Sequence, residues 1–153
     1  MKELPLQETY KRELKELYGE ANAACLKRLA TILTPHSASI AMSFYQVMLE
    51  NEAAVPFLSN ELVESKLSIS MRSWISELFV TRSSITDIEE LIIRQVQVGH
   101  VHARIDLPMS LVNFGMRTLK LSMSAYIQQA NLNNNEESEC LILMSRLVDC
   151  VTA

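Results

Sequence analysis

Punctuation is scarce in this chain: three glycines and four prolines are spread over 153 residues. Between them run long stretches whose apolar residues recur with the 3.6-residue period of an amphipathic helix. So few glycines and prolines suit neither a loop-rich β-sandwich nor a phosphate-cradling loop, and the expected fold class is all-α. A chain of 17.3 kDa hides roughly two-thirds of its unfolded surface, enough for one well-buried domain. With 48% hydrophobic and 21% charged residues, it lacks the bias of a disordered segment and should fold alone.

Charge narrows the partners. A net charge of -4 argues against nucleic acid or an anionic membrane surface, since both select a basic face. No apolar run of about twenty residues is present, so no transmembrane helix is expected. The start, MKELPLQETYKRELKE, is charged throughout and has no apolar core of a secretory signal. Cys25, Cys140 and Cys150 are odd in number and widely spaced, which reads as reduced thiols in a cytoplasmic protein.

The breaks divide the chain into successive helices. A short leading helix up to Tyr18 and Gly19 has Leu14 and Leu17 on one side and should pack loosely. The second carries Ala24, Leu26, Leu29, Ala30 and Leu33. Thr34 then offers a capping oxygen before Pro35 at the first helical position. The third buries Ile40, Ala41, Phe44, Tyr45 and Met48. After a corner containing Pro56, Ser59 or Asn60 caps a fourth helix on which Val63, Leu67, Ser70 and Trp74 share a face. Thr86-x-x-Glu89 has the form of a capping box for the fifth, where Leu91, Gln95, Val98 and His102 share a face.

Asp106, Leu107 and Pro108 restart the chain into a sixth helix with Val112, Met116, Leu119 and Met123 on one face and Leu111, Phe114, Leu121 and Ala125 elsewhere. Apolar on more than one face, it needs two partners. Asn133-x-x-Glu136 caps the last helix, whose stripe is Leu141, Met144, Leu147, Val148 and Val151. That stripe runs almost to Ala153, as though the parent protein continued into another domain.

No carboxylate pair or Ser/His/Asp arrangement stands out for hydrolytic catalysis. Three histidines remain. His100 and His102, two apart on a helix, project roughly 200° from one another, so they cannot both face one pocket, and a paired zinc site is excluded. His102 shares the inward stripe; a half-buried, hydrogen-bonded histidine would satisfy the same pattern as a core ligand. His36 and His100 read as surface residues. Tyr45 and Ser70 also sit on core-like faces, where a hydroxyl must find a partner, a nearby backbone carbonyl being the plainest one. The eight methionines could supply an axial thioether, though Met at helical spacing commonly fills core gaps.

VHARIDLP (Val101 to Pro108), preceded by RQVQVG and followed by MSLVNFGMRTLK, closely resembles the haem-binding helix and its successor in the globin-coupled sensors. The likeness extends through SFYQVM (Ser43 to Met48) and PFLSNELVESKLSISMRSW (Pro56 to Trp74), and covers the chain in order from Ala23 to Val151. The resemblance implies a globin fold with an extra N-terminal helix and without the short D helix, holding haem b. It places His102 as the proximal iron ligand, Tyr45 as the distal phenol, and Leu67 and Ser70 at the two facing distal positions. Phe44, Val98 and Trp74 would complete the haem contacts. Asp106 departs from the family, which commonly has Gly there, and could alter how the fifth helix ends.

The expected function is dioxygen sensing on ferrous haem, with CO and NO as further ligands. The ligation state would pass through the last two helices, paired as a homodimer along a seam of Met116, Leu119 and Met123 with Met144, Leu147 and Val151, to a C-terminal output domain such as a diguanylate cyclase. Residues 1–153 would be the sensor domain, with no catalytic residue in this chain. The other imidazole N–H of His102 would need an acceptor, and the Val98 carbonyl one turn earlier is the expected one. Alternatives are a haem-free globin-like stress-signalling module and a globin with nitric oxide dioxygenase activity.

Overall fold

The computed structural model describes residues 3–82 and 84–152, and among them every regular element is helical. The α-helices are α1 (Glu3–Leu17), α2 (Ala23–Leu33), α3 (Ser37–Glu50), α4 (Asn60–Leu62), α5 (Ser68–Leu78), α6 (Ile85–Arg104), α7 (Met109–Gln128) and α8 (Asn134–Thr152). A π turn, Val63–Leu67, joins α4 to α5 without a break. Between α3 and α4 there is only the 3₁₀ turn Glu52–Ala54 and a corner, so the short D helix is missing as expected.

Helix starts follow local hydrogen-bond chemistry. Ser59 Oγ accepts from the Leu62 amide at 3.1 Å and opens α4 as anticipated. The α8 capping box is complete: Asn133 Oδ1 accepts from the Glu136 amide at 2.8 Å, and Glu136 Oε1 accepts from the Asn133 amide at 3.2 Å. Two expectations are corrected. Helix α6 starts at Ile85 because Ser84 Oγ accepts from the Asp87 amide at 3.2 Å, displacing the Thr86-x-x-Glu89 box to the interior of the first turn. Thr34 is itself helical in backbone and caps nothing, because the chain passes from α2 to α3 through the 3₁₀ turn Thr34–His36 without leaving helical space.

The five inward residues read for α3 are all buried, as are Leu26, Leu29 and Leu33 on α2. Helix α3 packs against α5 and α7, while α8 packs against α7, α2 and α1. The leading helix is not loose: Leu14, Leu17 and Tyr18 are buried, and the Tyr18 hydroxyl donates to the Leu78 carbonyl at the end of α5. That bond gives a buried phenol its partner and ties α1 to the body.

Met144 and Leu147 on α8 pack into the same core as Leu119 and Met123 on α7, all four at 1% exposure or less. The expectation that they form a seam with a second copy is therefore corrected: their faces are consumed within one chain. Val151, the remaining α8 seam residue, has a side chain outside the described residues. Met116 turns toward the cavity described below. The large apolar residues left outward on these two helices include Leu121, 74% exposed, and Ile142, 61% exposed.

Candidate functional site

Helix α6 is embedded at one end and detached at the other. Ile88 and Leu91 are buried, whereas Val96, Val98 and Val101 are exposed. A cleft separates this second half from α5 and α7. It has two lobes of ≈400 and ≈350 Å³, both bordered by Tyr45, Leu67, Met71, Val101, His102 and Met116. Each lobe falls within the size range of small-molecule and cofactor sites, and shared walls make them one space.

The distal wall is shaped by the π turn. Val63 and Leu67 are the first and last residues of that turn. Val63 enters the core, while Leu67 faces the cleft. Ser70 and Trp74 follow on the regular helix and border the second lobe with Gln95 and Val98. Phe44 borders the first lobe and meets Tyr45 edge to face, ring centroids 4.8 Å apart. Gly115 on α7 allows that placement, because a Cβ there would lie 3.1 Å from the Phe44 ring.

The polar groups facing this apolar space are few. His102 is half-buried, and desolvation holds its imidazole below the usual histidine value, favouring the neutral form. Tyr45 is buried, and desolvation pushes its phenol up to about 12, so it remains a donor throughout the physiological range. Among the described residues, none accepts a hydrogen bond from the Tyr45 hydroxyl or pairs with Ser70 Oγ. The backbone-carbonyl partners considered for these two hydroxyls are thus not used. No hydrogen bond from the His102 ring to the Val98 carbonyl is present among the described residues. His100 is exposed and borders neither lobe, in keeping with the angular argument.

The second half of α6 is held through its end. Asp106 adopts a left-handed conformation, φ 56°, the Leu107 amide donates to the His102 carbonyl at 3.0 Å, and the Asp106 amide donates to Ala103 at 3.1 Å. This pair of bonds is a Schellman cap, with Asp106 at the position that favours glycine. The expectation that Asp106 alters how this helix ends is therefore corrected: the cap is complete with Asp106 in it.

Several walls of the cleft were missed from sequence. Phe57 and Leu58 lie in the corner, where nothing but their apolar character could have marked them. Met71, one turn beyond Leu67, and Val101, beside His102, follow from helical spacing once the cleft is located.

Helices disposed this way around an apolar cleft, with one imidazole and one phenol facing it, make a globin pocket, and residues 12–150 match the family described as Protoglobin. The chain belongs to the protoglobin family. This protoglobin is 34% identical over 117 residues to the diguanylate cyclase DosC of Escherichia coli K12, covering 74% of the chain but 25% of that protein. It thus spans about a quarter of the length of that curated relative. The ferric globin domain of E. coli DosC superposes with a TM-score of 0.85 at 28% identity, over 94% of this chain and 95% of that one. The globin domain of a Geobacter sulfurreducens globin-coupled sensor gives a TM-score of 0.76 at 23% identity, over 92% and 91%, a likeness of fold. The resemblance read from VHARIDLP is borne out at the level of the family: the chain is a globin domain, similar to that of DosC and alike in fold to that of the Geobacter globin-coupled sensor. None of its described helices is long and apolar enough to cross a membrane.

Proposed function

We propose that this protoglobin is a haem-based dioxygen sensor domain, and that residues 1–153 regulate an output domain, a diguanylate cyclase, in a longer cytoplasmic protein. The observation that carries the proposal is that His102 and Tyr45 both border both lobes of one apolar cleft. The ferric and ferrous forms of the DosC globin domain support the same cofactor class. Haem b held there would supply an iron centre able to take a diatomic gas.

His102 would hold the iron through one imidazole nitrogen, which burial keeps unprotonated. Tyr45 donates its phenolic proton toward the distal space, a bond worth most to a ligand that gathers negative charge, as dioxygen does more than CO. Ser70 offers a second hydroxyl beside it. Leu67 and Phe44 present hydrocarbon and restrict water, while Val98 and Trp74 border the cofactor space. Any shift of the His102 ring moves a residue whose carbonyl is bonded to the link into α7. Helix α7 packs along α8, which supplies a continuous route to a following domain. A homodimer formed through α7 and α8 would use their outward residues Leu121 and Ile142.

An absorption spectrum of the purified protein, reduced and then exposed to air, tests the proposal. A Soret band that shifts on exposure to dioxygen is the expected result. A colourless protein that takes up no added haem leaves the haem-free signalling module instead. Sustained consumption of nitric oxide with an electron donor would favour the dioxygenase reading.

A further inference from the structure

Two of the three thiols lie together, far from the cleft. Cys25 on α2 and Cys140 on α8 are 115 positions apart in sequence, yet their sulfurs are 3.8 Å apart, and both side chains are buried. A separate hollow of ≈290 Å³ between α2 and α8 is bordered by Cys25, Arg28, Glu139 and Arg146, but not by Cys140. One sulfur thus has a route to small solutes, and the other stands behind it.

We infer that Cys25 and Cys140 are a dithiol pair that closes to a disulfide by exchange with a small-molecule disulfide, stapling α8 to α2. In the first step the Cys25 thiolate attacks one sulfur of the reagent, breaking its S–S bond and releasing one thiolate, which takes a proton. In the second, the Cys140 thiolate attacks Cys25 Sγ and releases the other half. The protein loses two protons and two electrons, and the reagent is reduced to two thiols.

The hollow is of mixed charge, since Arg28 pairs with Glu136 at 2.8 Å, Arg146 lies 3.9 Å from Glu16, and Glu139 stands beside them. The sulfurs must close from 3.8 Å to about 2.05 Å for the bond to form. Burial pushes the Cys25 thiol up to about 12, so closure is slow at neutral pH and quickens as pH rises. A thiol of such high pKa is a poor leaving group, so the closed bond reopens slowly and calls for a strong dithiol reductant.

The purified protein is incubated with oxidised glutathione at mildly alkaline pH and analysed by intact mass and non-reducing peptide mapping. The expected product has lost the mass of two hydrogens, yields a linked Cys25–Cys140 peptide, and forms equally in Cys150→Ser. Its thermal midpoint rises on the order of 10 °C and returns on reduction with dithiothreitol. Cys140→Ser should instead retain one glutathione on Cys25. A lasting glutathione adduct on the wild-type protein, or a linkage through Cys150, overturns the pairing; the wild-type and Cys150→Ser results decide this even if Cys140→Ser fails to fold.

Discussion

The Leu107 amide donates to the His102 carbonyl at 3.0 Å, so the same residue that faces the cleft is also the anchor of the α6 C-terminal cap. The cap depends on Asp106 at φ 56°, where a β-carbon is crowded. Asp106→Gly should relieve that crowding and raise stability by about 0.5–1 kcal/mol, partly offset by greater freedom when unfolded. Asp106→Val should cost about 1–2 kcal/mol. Urea midpoints at constant m report both, and a Val variant as stable as wild type would remove the cap from the account.

Haem retention separates the two neighbouring histidines. His102→Ala should lose stoichiometric haem on desalting, whereas His100→Ala, whose side chain points to solvent, should keep nearly all of it. Pyridine-haemochrome assay of the two proteins gives the comparison. Equal loss in both would refute His102 as the proximal ligand.

Tyr45→Phe removes the buried phenol while leaving the ring against Phe44. Dioxygen dissociation should quicken by about ten- to a hundredfold, corresponding to roughly 1.5–3 kcal/mol for a hydrogen bond to a partly charged acceptor. The change for CO should be smaller, and Ser70→Ala should have a weaker effect than either. Stopped-flow displacement measures all three; unchanged dioxygen kinetics in the Tyr45 variant would sink the distal assignment.

Acid should weaken the haem-free protein through His102. The folded imidazole has its pKa held below 6.5 by burial, so between that lowered value and 6.5 the unfolded chain binds more protons. The site's contribution is fully present above about 6.5 and is lost as pH falls toward the folded value. Denaturation midpoints should therefore decline below pH 6.5, and His102→Leu should flatten that part of the profile. A profile of the same shape in the variant would assign the acid sensitivity elsewhere.

Dimer variants should divide by exposure. Leu121→Glu and Ile142→Glu place charges on outward faces and should shift the protein toward monomer at nearly unchanged thermal midpoint. Leu147→Glu buries an unpaired carboxylate among α7 and α8 and should cost more than about 3 kcal/mol, unfolding the chain before it reports on association. Sedimentation velocity over a concentration series decides; a wild-type chain that stays monomeric throughout leaves no α7–α8 dimer to disrupt.

The sequence by itself determined the helices, most of their inward faces and the family. Periodicity is a local property: Ile40, Ala41, Phe44, Tyr45 and Met48 recur at helical spacing and are buried together, and the Asn133 and Glu136 cap needs only its own four residues. The 200° between His100 and His102 is also local geometry, so one histidine could be set aside before any fold was known. Tertiary structure alone decided which apolar face met which neighbour. Met116 and Leu147 carry the same kind of stripe, yet Met116 borders the cleft and Leu147 is sealed between helices, because a stripe encodes that a face is buried and not what buries it. The π turn at Val63–Leu67 and the meeting of Cys25 with Cys140 had no local signature either. The first belongs to how α4 and α5 sit on the core, and the second to contacts between residues more than a hundred positions apart.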